Sequence, residues 1–322
     1  MNSLFIMEHV SRNFTVKRGF LGQKVSLKAV DDVSLELDTG QTLGLVGESG
    51  CGKSTLGRMA CGLIRPTSGK ILLDSNPLPE ASARSWAAGK IQMVFQDPGS
   101  SLDPRMQVAK SVAEPLIAKG KNKTQALARA NELLEAVGLE GMGKRYPHQF
   151  SGGQRQRIAI ARALSTTPQL VVCDEPVSAL DASVQAQILN LLRNMQELYN
   201  PAYLFISHDL SVIGFMCSRS YVMYLGQIVE KASRAQLFAK PAHPYTRALM
   251  AAMPKGERVW KKKHGELPPP LSGELPSPIS PPSGCYFHPR CPIAIEICSR
   301  QAPPWKEMGP NWLARCFLAG TV

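Results

Sequence analysis

Two clusters carry residue types that handle phosphate. Gly47-Glu48-Ser49-Gly50-Cys51-Gly52-Lys53-Ser54-Thr55 fits the pattern G-x-x-x-x-G-K-[ST]. In such a loop successive backbone N–H groups curl around the phosphates, the lysine reaches the terminal ones and the first hydroxyl takes a Mg²⁺ position. Those tasks fall to Lys53 and Ser54, and a side chain at Gly50 or Gly52 would obstruct the curl. The second cluster is Asp174-Glu175, two carboxylates closing the apolar run Leu170-Val171-Val172-Cys173. Phosphoryl transfer needs positioning and charge neutralisation more than covalent chemistry, so a metal-anchoring aspartate beside a glutamate that polarises water is a fitting pair.

These groups need elements to hold them. Thr42-Leu43-Gly44-Leu45-Val46 reads as a short buried strand and Thr55 to Leu63 as a helix, the strand, loop and helix setting of a phosphate loop. Further strands are expected at Leu170 to Cys173 and Tyr203 to Ile206, with a helix from Ser183 to Leu198 between them, and such alternation implies a mainly parallel sheet. From about residue 97 to 165 the pattern turns helical, with Leu127, Leu133, Leu134 and Val137, then Ile158, Ile160 and Leu164, at helix-like spacing. This reads as a helical subdomain inserted into a nucleotide-binding core whose first part, to about residue 95, is short strands with turns.

A chain of 322 residues is long enough for a substantial core. It has no apolar run of about 18 residues with which to cross a bilayer. Its first ten residues lack the basic head and apolar centre of a secretory signal, which predicts a cytoplasmic protein. The net charge of +12, dense at Lys255, Arg258, Lys261, Lys262 and Lys263, suits an anionic membrane surface or nucleic acid, but no aromatic-rich nucleic-acid reader accompanies it. Of 25 prolines, 15 lie between Pro241 and Pro310, which excludes long regular elements there.

That proline-rich tail holds Cys285, Cys291, Cys298 and Cys316 in the spacing C-x₅-C-x₆-C-x₁₇-C, whereas Cys51, Cys61, Cys173 and Cys217 are scattered as core or loop fillers. In a cytoplasmic chain a compact four-cysteine group reads as metal-binding rather than bridged. The spacing matches neither a zinc ribbon nor a ferredoxin run, so on spacing alone zinc, an iron–sulfur cluster and no metal stand level. His288, in the same loop, reads first as an exposed loop histidine and second as an alternative zinc ligand.

Further motifs, in order along the chain, identify a family. Gln96 lies in Val94-Phe95-Gln96-Asp97-Pro98, Ser151-Gly152-Gly153-Gln154 follows Tyr146-Pro147-His148-Gln149-Phe150, Ser178-Ala179-Leu180-Asp181 comes next, and His208 lies in Phe205-Ile206-Ser207-His208-Asp209. With the phosphate loop and Asp174-Glu175, they resemble the Q-loop, signature, D-loop and switch histidine of the ATP-binding subunits of ABC transporters, over nearly the whole chain. His243-Pro244-Tyr245-Thr246 and Leu271-Ser272-Gly273-Glu274-Leu275-Pro276-Ser277-Pro278 look like the tail of the oligopeptide and dipeptide importers, the peptide/nickel branch, and most like the second of two paired ATPases in such a system.

The resemblance implies an α/β fold: a RecA-like, mainly parallel core sheet, an N-terminal antiparallel β subdomain and the inserted helical subdomain, all within an ATPase domain of residues 1–253, then a Pro-rich, Cys-containing extension over 254–322. It implies that Lys53 and the backbone from Gly47 to Gly52 bind the phosphates of ATP. Ser54 and Gln96 would face Mg²⁺, Asp174 would hold it through water, Glu175 would activate the attacking water and His208 would touch the γ-phosphate. Adenine would stack on Phe14, with Phe20 as the fallback; the stretch from Val16 to Leu27 is an insertion relative to the family pattern.

Ser151, Gly152, Gly153, Gln154 and Asp181 would meet ATP held by a second ABC ATPase, itself a related chain. Two membrane permease subunits and an extracytoplasmic solute-binding protein would complete the importer, with this chain peripheral on the cytoplasmic face of the bacterial inner membrane. Similar tails hold a [4Fe–4S] cluster on four cysteines, which implies that role for Cys285, Cys291, Cys298 and Cys316, with zinc as the alternative. An ABC ATPase acting on nucleic acid or ribosomes is the rival reading. It suits the charge, yet the chain has one cassette and no room for a coiled coil between Lys53 and Ser151, so no nucleic-acid partner is expected.

Overall fold

The computed structural model describes residues 3–18, 22–78, 87, 89–253, 271 and 273–320. The basic cluster from Lys255 to Lys263 and the fallback aromatic Phe20 lie outside the described residues. Near the N-terminus the expected short strands are instead two long ones, β1 (Phe5–Arg18) and β2 (Gln23–Leu37). They form an antiparallel hairpin in which Phe14 faces Leu27 and Val16 faces Val25. The insertion after Phe14 is therefore the outer end of that ladder. With β4 (Ser68–Leu73) and β5 (Asn76–Pro77) the hairpin makes a four-stranded antiparallel sheet in the order β2-β1-β4-β5. Its buried face is supplied by Phe5, Met7, Val10, Val33, Leu35 and Leu37.

The main sheet is built round β3 (Thr42–Val46), which is buried throughout and paired in parallel on both sides. Strands covered on both faces read as unbroken apolar runs, as Thr42 to Val46 does. The same sheet holds β6 (Ile91–Val94), β7 (Leu170–Asp174), β8 (Ala202–Ser207), β9 (Arg219–Tyr224) and β10 (Gln227–Ser233), with β8 and β9 flanking β3. Helix α1 (Lys53–Ala60) follows the phosphate loop; the expected run to Leu63 stops early because Gly62 turns the chain with φ of 68°. The helical subdomain comprises α2 (Pro98–Ser101), α3 (Val108–Ala118), α4 (Lys123–Ala136) and α5 (Gly152–Leu164). Val112, Leu133, Leu134, Ile158 and Leu164 join one core there. Then α6 (Ala182–Tyr199) and α7 (Leu210–Met216) link the returning strands.

After α8 (Arg234–Ala239) and α9 (Pro244–Ala251) the tail supplies α10 (Glu296–Arg300), β11 (Lys306–Gly309) and β12 (Trp312–Ala314). Prolines keep these elements short, but β12 pairs antiparallel with β10, setting Ala314 opposite Glu230. The main sheet thus runs β11-β12-β10-β9-β3-β8-β7-β6, and the tail forms one of its edges. Glu230 is wholly buried and its carboxylate accepts from the Ala242 N–H at 2.8 Å, the His243 N–H at 3.0 Å and the Trp312 indole at 2.9 Å. Among the described residues no helix is long and apolar enough to cross a membrane.

His243 caps α9: its Nδ1 accepts the Tyr245 N–H at 3.1 Å, and burial pulls its pKa down to about 3. The folded state therefore holds the neutral ring, whereas in the unfolded chain it titrates near 6.5. The stabilisation is complete above pH about 6.5 and declines as pH falls toward 3, by up to about 1.4 kcal/mol per pH unit. Urea denaturation of the full chain between pH 7.5 and 5 should show that extra decline relative to His243→Asn, whose amide oxygen can still cap the helix. Parallel pH profiles for the two proteins would count against it.

Candidate active site

The phosphate loop leaves the buried end of β3 and is wedged between two strands. A Cβ on Gly47 would run into the Met223 carbonyl of β9, and one on Gly52 into the Ala29 carbonyl of β2; Gly52 also sits at φ 108°. Both positions therefore require glycine. Lys53 is buried, and its Nζ donates to the carbonyls of Gly47 at 2.7 Å and Glu48 at 2.8 Å. Beside the loop lies a cleft of about 350 Å³, a size that suits a small ligand. Ser49, Gly50, Gly52, Lys53, Ser54 and Thr55 form one wall and Phe14, Leu27 and Ala29 another. Gln96 and Glu175 also line it, as does Pro278 from the tail. Phe14 carries the Arg12 guanidinium 4.6 Å from its ring centre, so one ring face is already stacked. Cys51 buries its side chain, whose Sγ accepts from Lys53 Nζ at 3.9 Å.

The strand ends deliver the acids as the sequence suggests. Ser54 Oγ donates to Asp174 Oδ1 at 2.9 Å, joining the start of α1 to the end of β7. Burial raises the Asp174 pKa, and the hydrogen bond from Ser54 opposes that rise. Glu175 adopts a left-handed backbone with φ of 47°, a costly conformation for a residue with a Cβ, while its N–H donates to Ile206 at 3.0 Å. Its carboxylate meets two partners: His208 Nδ1 lies 3.2 Å from Oε1, and Gln96 Nε2 donates to Oε2 at 3.3 Å. Gln96, Glu175 and His208 are thus brought together at the edge of the cleft. Ser54 Oγ and the Asp174 carboxylate are hard oxygen donors side by side, which fits a Mg²⁺ ion.

The signature stands apart. Ser151 caps α5 reciprocally: its Oγ accepts the Gln154 N–H at 3.3 Å, and Gln154 Oε1 accepts the Ser151 N–H at 3.0 Å. Asp181 caps α6 through the N–H groups of Ser183 and Val184, and the bond from Val184 contributes most to lowering its pKa. Among the described residues lining the cleft, none is Ser151, Gly152, Gly153, Gln154 or Asp181. One chain does not unite these positions with its own phosphate loop.

The four tail cysteines converge on one small pocket, with Phe287, His288 and Phe317 among its other walls. Burial pushes the Cys285 and Cys291 thiols up to about 11, with neighbouring thiols adding to the rise. The donor chemistry fits a thiolate-bound metal group. Among the described residues, however, no three His, Cys, Asp or Glu side chains are grouped to hold a single metal ion. The space between the walls is about 10 Å³. His288 Nδ1 is instead engaged with the Cys285 carbonyl at 2.9 Å.

Two contacts to the phosphate loop were not anticipated from the sequence. Arg290 forms a double hydrogen bond with the Glu48 carboxylate, at 2.7 and 3.0 Å, and the Tyr245 hydroxyl accepts the Glu48 N–H at 2.8 Å. The available signal was Glu48 itself, a carboxylate in a loop whose backbone N–H groups and lysine serve an anion.

Comparison with known proteins agrees with this architecture. Residues 30–178 match the ABC transporter family model, and residues 229–298 match the oligopeptide/dipeptide transporter C-terminal region. The oligopeptide transport ATP-binding protein AppF of Bacillus subtilis is 46% identical over 318 residues, covering 97% of this chain and 96% of that protein. OppF of Haemophilus influenzae, of the same description, is 44% identical over 328 residues, covering 98% and 96%. Among solved structures, cbiO1 from Clostridium perfringens, part of the ABC transporter complex cbiONQ, superposes with a TM-score of 0.63 at 25% identity, covering 74% of this chain and 92% of that one. The ATP-binding cassette MJ0796, a dimer in a post-hydrolysis state with ADP and Pi, gives 0.63 at 29% identity, covering 71% and 98%.

The signature's glycine is also a packing constraint, because a Cβ on Gly153 would collide with Val184 Cγ1 on α6. Gly153→Ala should cost about 1–3 kcal/mol, as overpacked sites do, in spite of alanine's better helix propensity. Adding Val184→Ala should restore most of the loss in urea denaturation. A Gly153→Ala protein as stable as the parent would show that α5 and α6 separate freely.

Proposed function

The chain belongs to the ATP-binding subunits of ABC transporters, in the oligopeptide and dipeptide importer branch, and on that premise we propose how its residues divide the work of ATP hydrolysis. As the ATPase of a peptide importer it acts on the nucleotide, not on the solute. The observation that carries the assignment is the convergence of Gln96 and His208 on Glu175 beside the phosphate-loop cleft.

Lys53 and the loop backbone bind the phosphates, and Phe14 lies where an adenine can stack against a ring. Ser54, Asp174 and Gln96 hold Mg²⁺, which when bound neutralises charge on the phosphate oxygens. Glu175 takes a proton from the attacking water as general base. Its carboxylate is aimed by Gln96 on one oxygen and by His208 on the other, so the proton acceptor does not have to find its orientation during the reaction. From its place beside Glu175, His208 touches the γ-phosphate of bound nucleotide.

Ser151, Gly152, Gly153, Gln154 and Asp181 act on ATP held by a second ATPase subunit. Support comes from their place outside the chain's own cleft: Ser151 to Gln154 open a 13-residue helix whose N-terminus favours an anion, and Asp181 caps the start of α6. Membrane permease partners provide the path, since none of the described helices suits a bilayer. The pair of permeases, a related partner ATPase, the cytoplasmic-face location and the division into an ATPase domain of 1–253 and an extension of 254–322 are part of the same proposal. We also assign Cys285, Cys291, Cys298 and Cys316, which line one pocket, to a structural [4Fe–4S] group that their four thiolates would hold. Zinc held by the same thiolates is the alternative.

Glu175→Gln should leave ATP affinity within about twofold while slowing turnover by roughly 10²–10⁴, the range for a lost general base. Steady-state hydrolysis and nucleotide retention on the assembled transporter decide it, and near-normal turnover would remove Glu175 from this role. Anaerobic purification with iron, sulfide and zinc analysis tests the tail: about four irons and four sulfides per chain are expected for a [4Fe–4S] group. Stoichiometric zinc alone, or no metal, would overturn that assignment.

A further inference from the structure

We infer that Arg290 is a positioning residue for the phosphate loop, through which the C-terminal tail sets the affinity for nucleotide. The inference rests on that loop being the ATP site. Glu48 is the only charged residue from Gly47 to Gly52, and every polar group it has is engaged. Its carboxylate takes both terminal nitrogens of Arg290, at 2.7 and 3.0 Å. Its N–H donates to the Tyr245 hydroxyl at 2.8 Å. Its carbonyl accepts from Lys53 Nζ at 2.8 Å and from the Cys51 N–H at 3.3 Å. The peptide that Arg290 grips by its side chain is therefore the one that directs the Lys53 ammonium. A planar guanidinium on a carboxylate fixes orientation as well as charge, which a single contact would not.

The grip comes from a fixed body rather than a loose arm. Arg290 is 8% exposed and ends the short turn from His288 to Arg290, where its N–H donates to Phe287 at 3.0 Å. Phe287 packs edge-on against Tyr224, with ring centres 5.2 Å apart, and against Tyr245 and His243. Cys285 and Cys291 bracket the turn, whose backbone closes on both of them: the His288 N–H donates to Cys285 at 3.0 Å, and the Cys291 N–H to His288 at 3.3 Å. On the other side of the cleft the tail is pinned to β2, by the Lys28 N–H on Pro278 at 3.0 Å and by the Tyr286 hydroxyl on Asp31 at 2.8 Å. Order in the cysteine segment thus passes directly to Glu48.

A salt bridge that merely fastens the tail and one that positions the loop differ in what they move. Loss of a fastening lowers the amount of folded enzyme, and so the apparent kcat, at unchanged KM. Loss of loop geometry weakens phosphate binding and raises KM. The test uses the full chain in its assembled transporter, with ATP as the probe, comparing Arg290→Gln, Glu48→Gln, the double variant and Arg290→Lys. Arg290→Gln should raise both the ATP Kd and KM about tenfold, within the range of coupling between groups in direct contact, with kcat changed less than about twofold. Arg290→Lys should fall between it and the parent, and the double variant should be no worse than Arg290→Gln. If Arg290→Gln does not fold, Glu48→Gln reads the same contact from its partly buried side.

Unchanged KM with lowered kcat or stability would overturn the inference, as would losses that multiply in the double variant. A separate control isolates the premise: if Lys53→Ala binds ATP as tightly as the parent, the ATP reading of the loop fails and this inference falls with it.

Discussion

A loop that must present backbone N–H groups to phosphate can spend few of them on holding its own shape, and the rest of this structure answers that constraint. The shape is imposed from outside. Gly47 and Gly52 press against the carbonyls of Met223 and Ala29, so strands from both sheets fix where the curl begins and ends. The Gly226 N–H donates to Cys51 at 2.8 Å, and the Asp31 N–H donates back to Gly226 at 2.9 Å, which ties the β9–β10 turn, the loop and β2 together. Each of these contacts comes from a segment far from residue 47 in sequence. Forming the site therefore waits on the tertiary fold, even though its motif is local.

The tail joins that scaffold through polar anchors because it has little apolar material of its own. Among the described residues its satellite core has Ala242, Ala314 and Ala319 as buried members. Glu230 compensates. A buried carboxylate is costly unless fully hydrogen-bonded, and this one receives three N–H groups from the approach to α9 and from β12. The same acceptor thus closes the sheet edge and sets the start of α9, from which Tyr245 reaches the phosphate loop. A carboxylate on β10 and a hydroxyl on α9 connect the sheet edge to Glu48 in two steps.

Much of this was legible from spacing. The strand from Thr42 to Val46 falls where the apolar run places it, and α6 matches the expected helix to within a residue at each end. Such elements depend on periodicity, which the sequence displays directly. The convergence of Gln96, Glu175 and His208 was legible only through family order, since no local pattern brings residues 96, 175 and 208 together. The pairing of Arg290 with Glu48 spans 242 positions, and a lone arginine among tail prolines gives no sign of its partner. The long β1–β2 hairpin was hidden by mixed polarity, because β2 buries alternate residues only toward its end. The tail strands β11 and β12 were hidden by brevity, as a four-residue and a three-residue strand carry too few alternations to be read.

The proposed division of labour between two subunits also follows from where hydrogen bonds are already used. Ser151 and Gln154 satisfy one another at the start of α5, so that helix end is formed without any nucleotide. Asp181 does the same for α6. Both helix starts are thus preorganised and need pay no ordering cost on meeting an anion. Gly153 against Val184 keeps α5 and α6 in contact, so the signature and the D-loop move as one surface. A rigid surface that is complete but outside its own cleft has its use across an interface. Under that reading ATP binding energy goes into bringing two such bodies together, and Glu175, already held by Gln96 and His208, awaits the closure rather than being assembled by it.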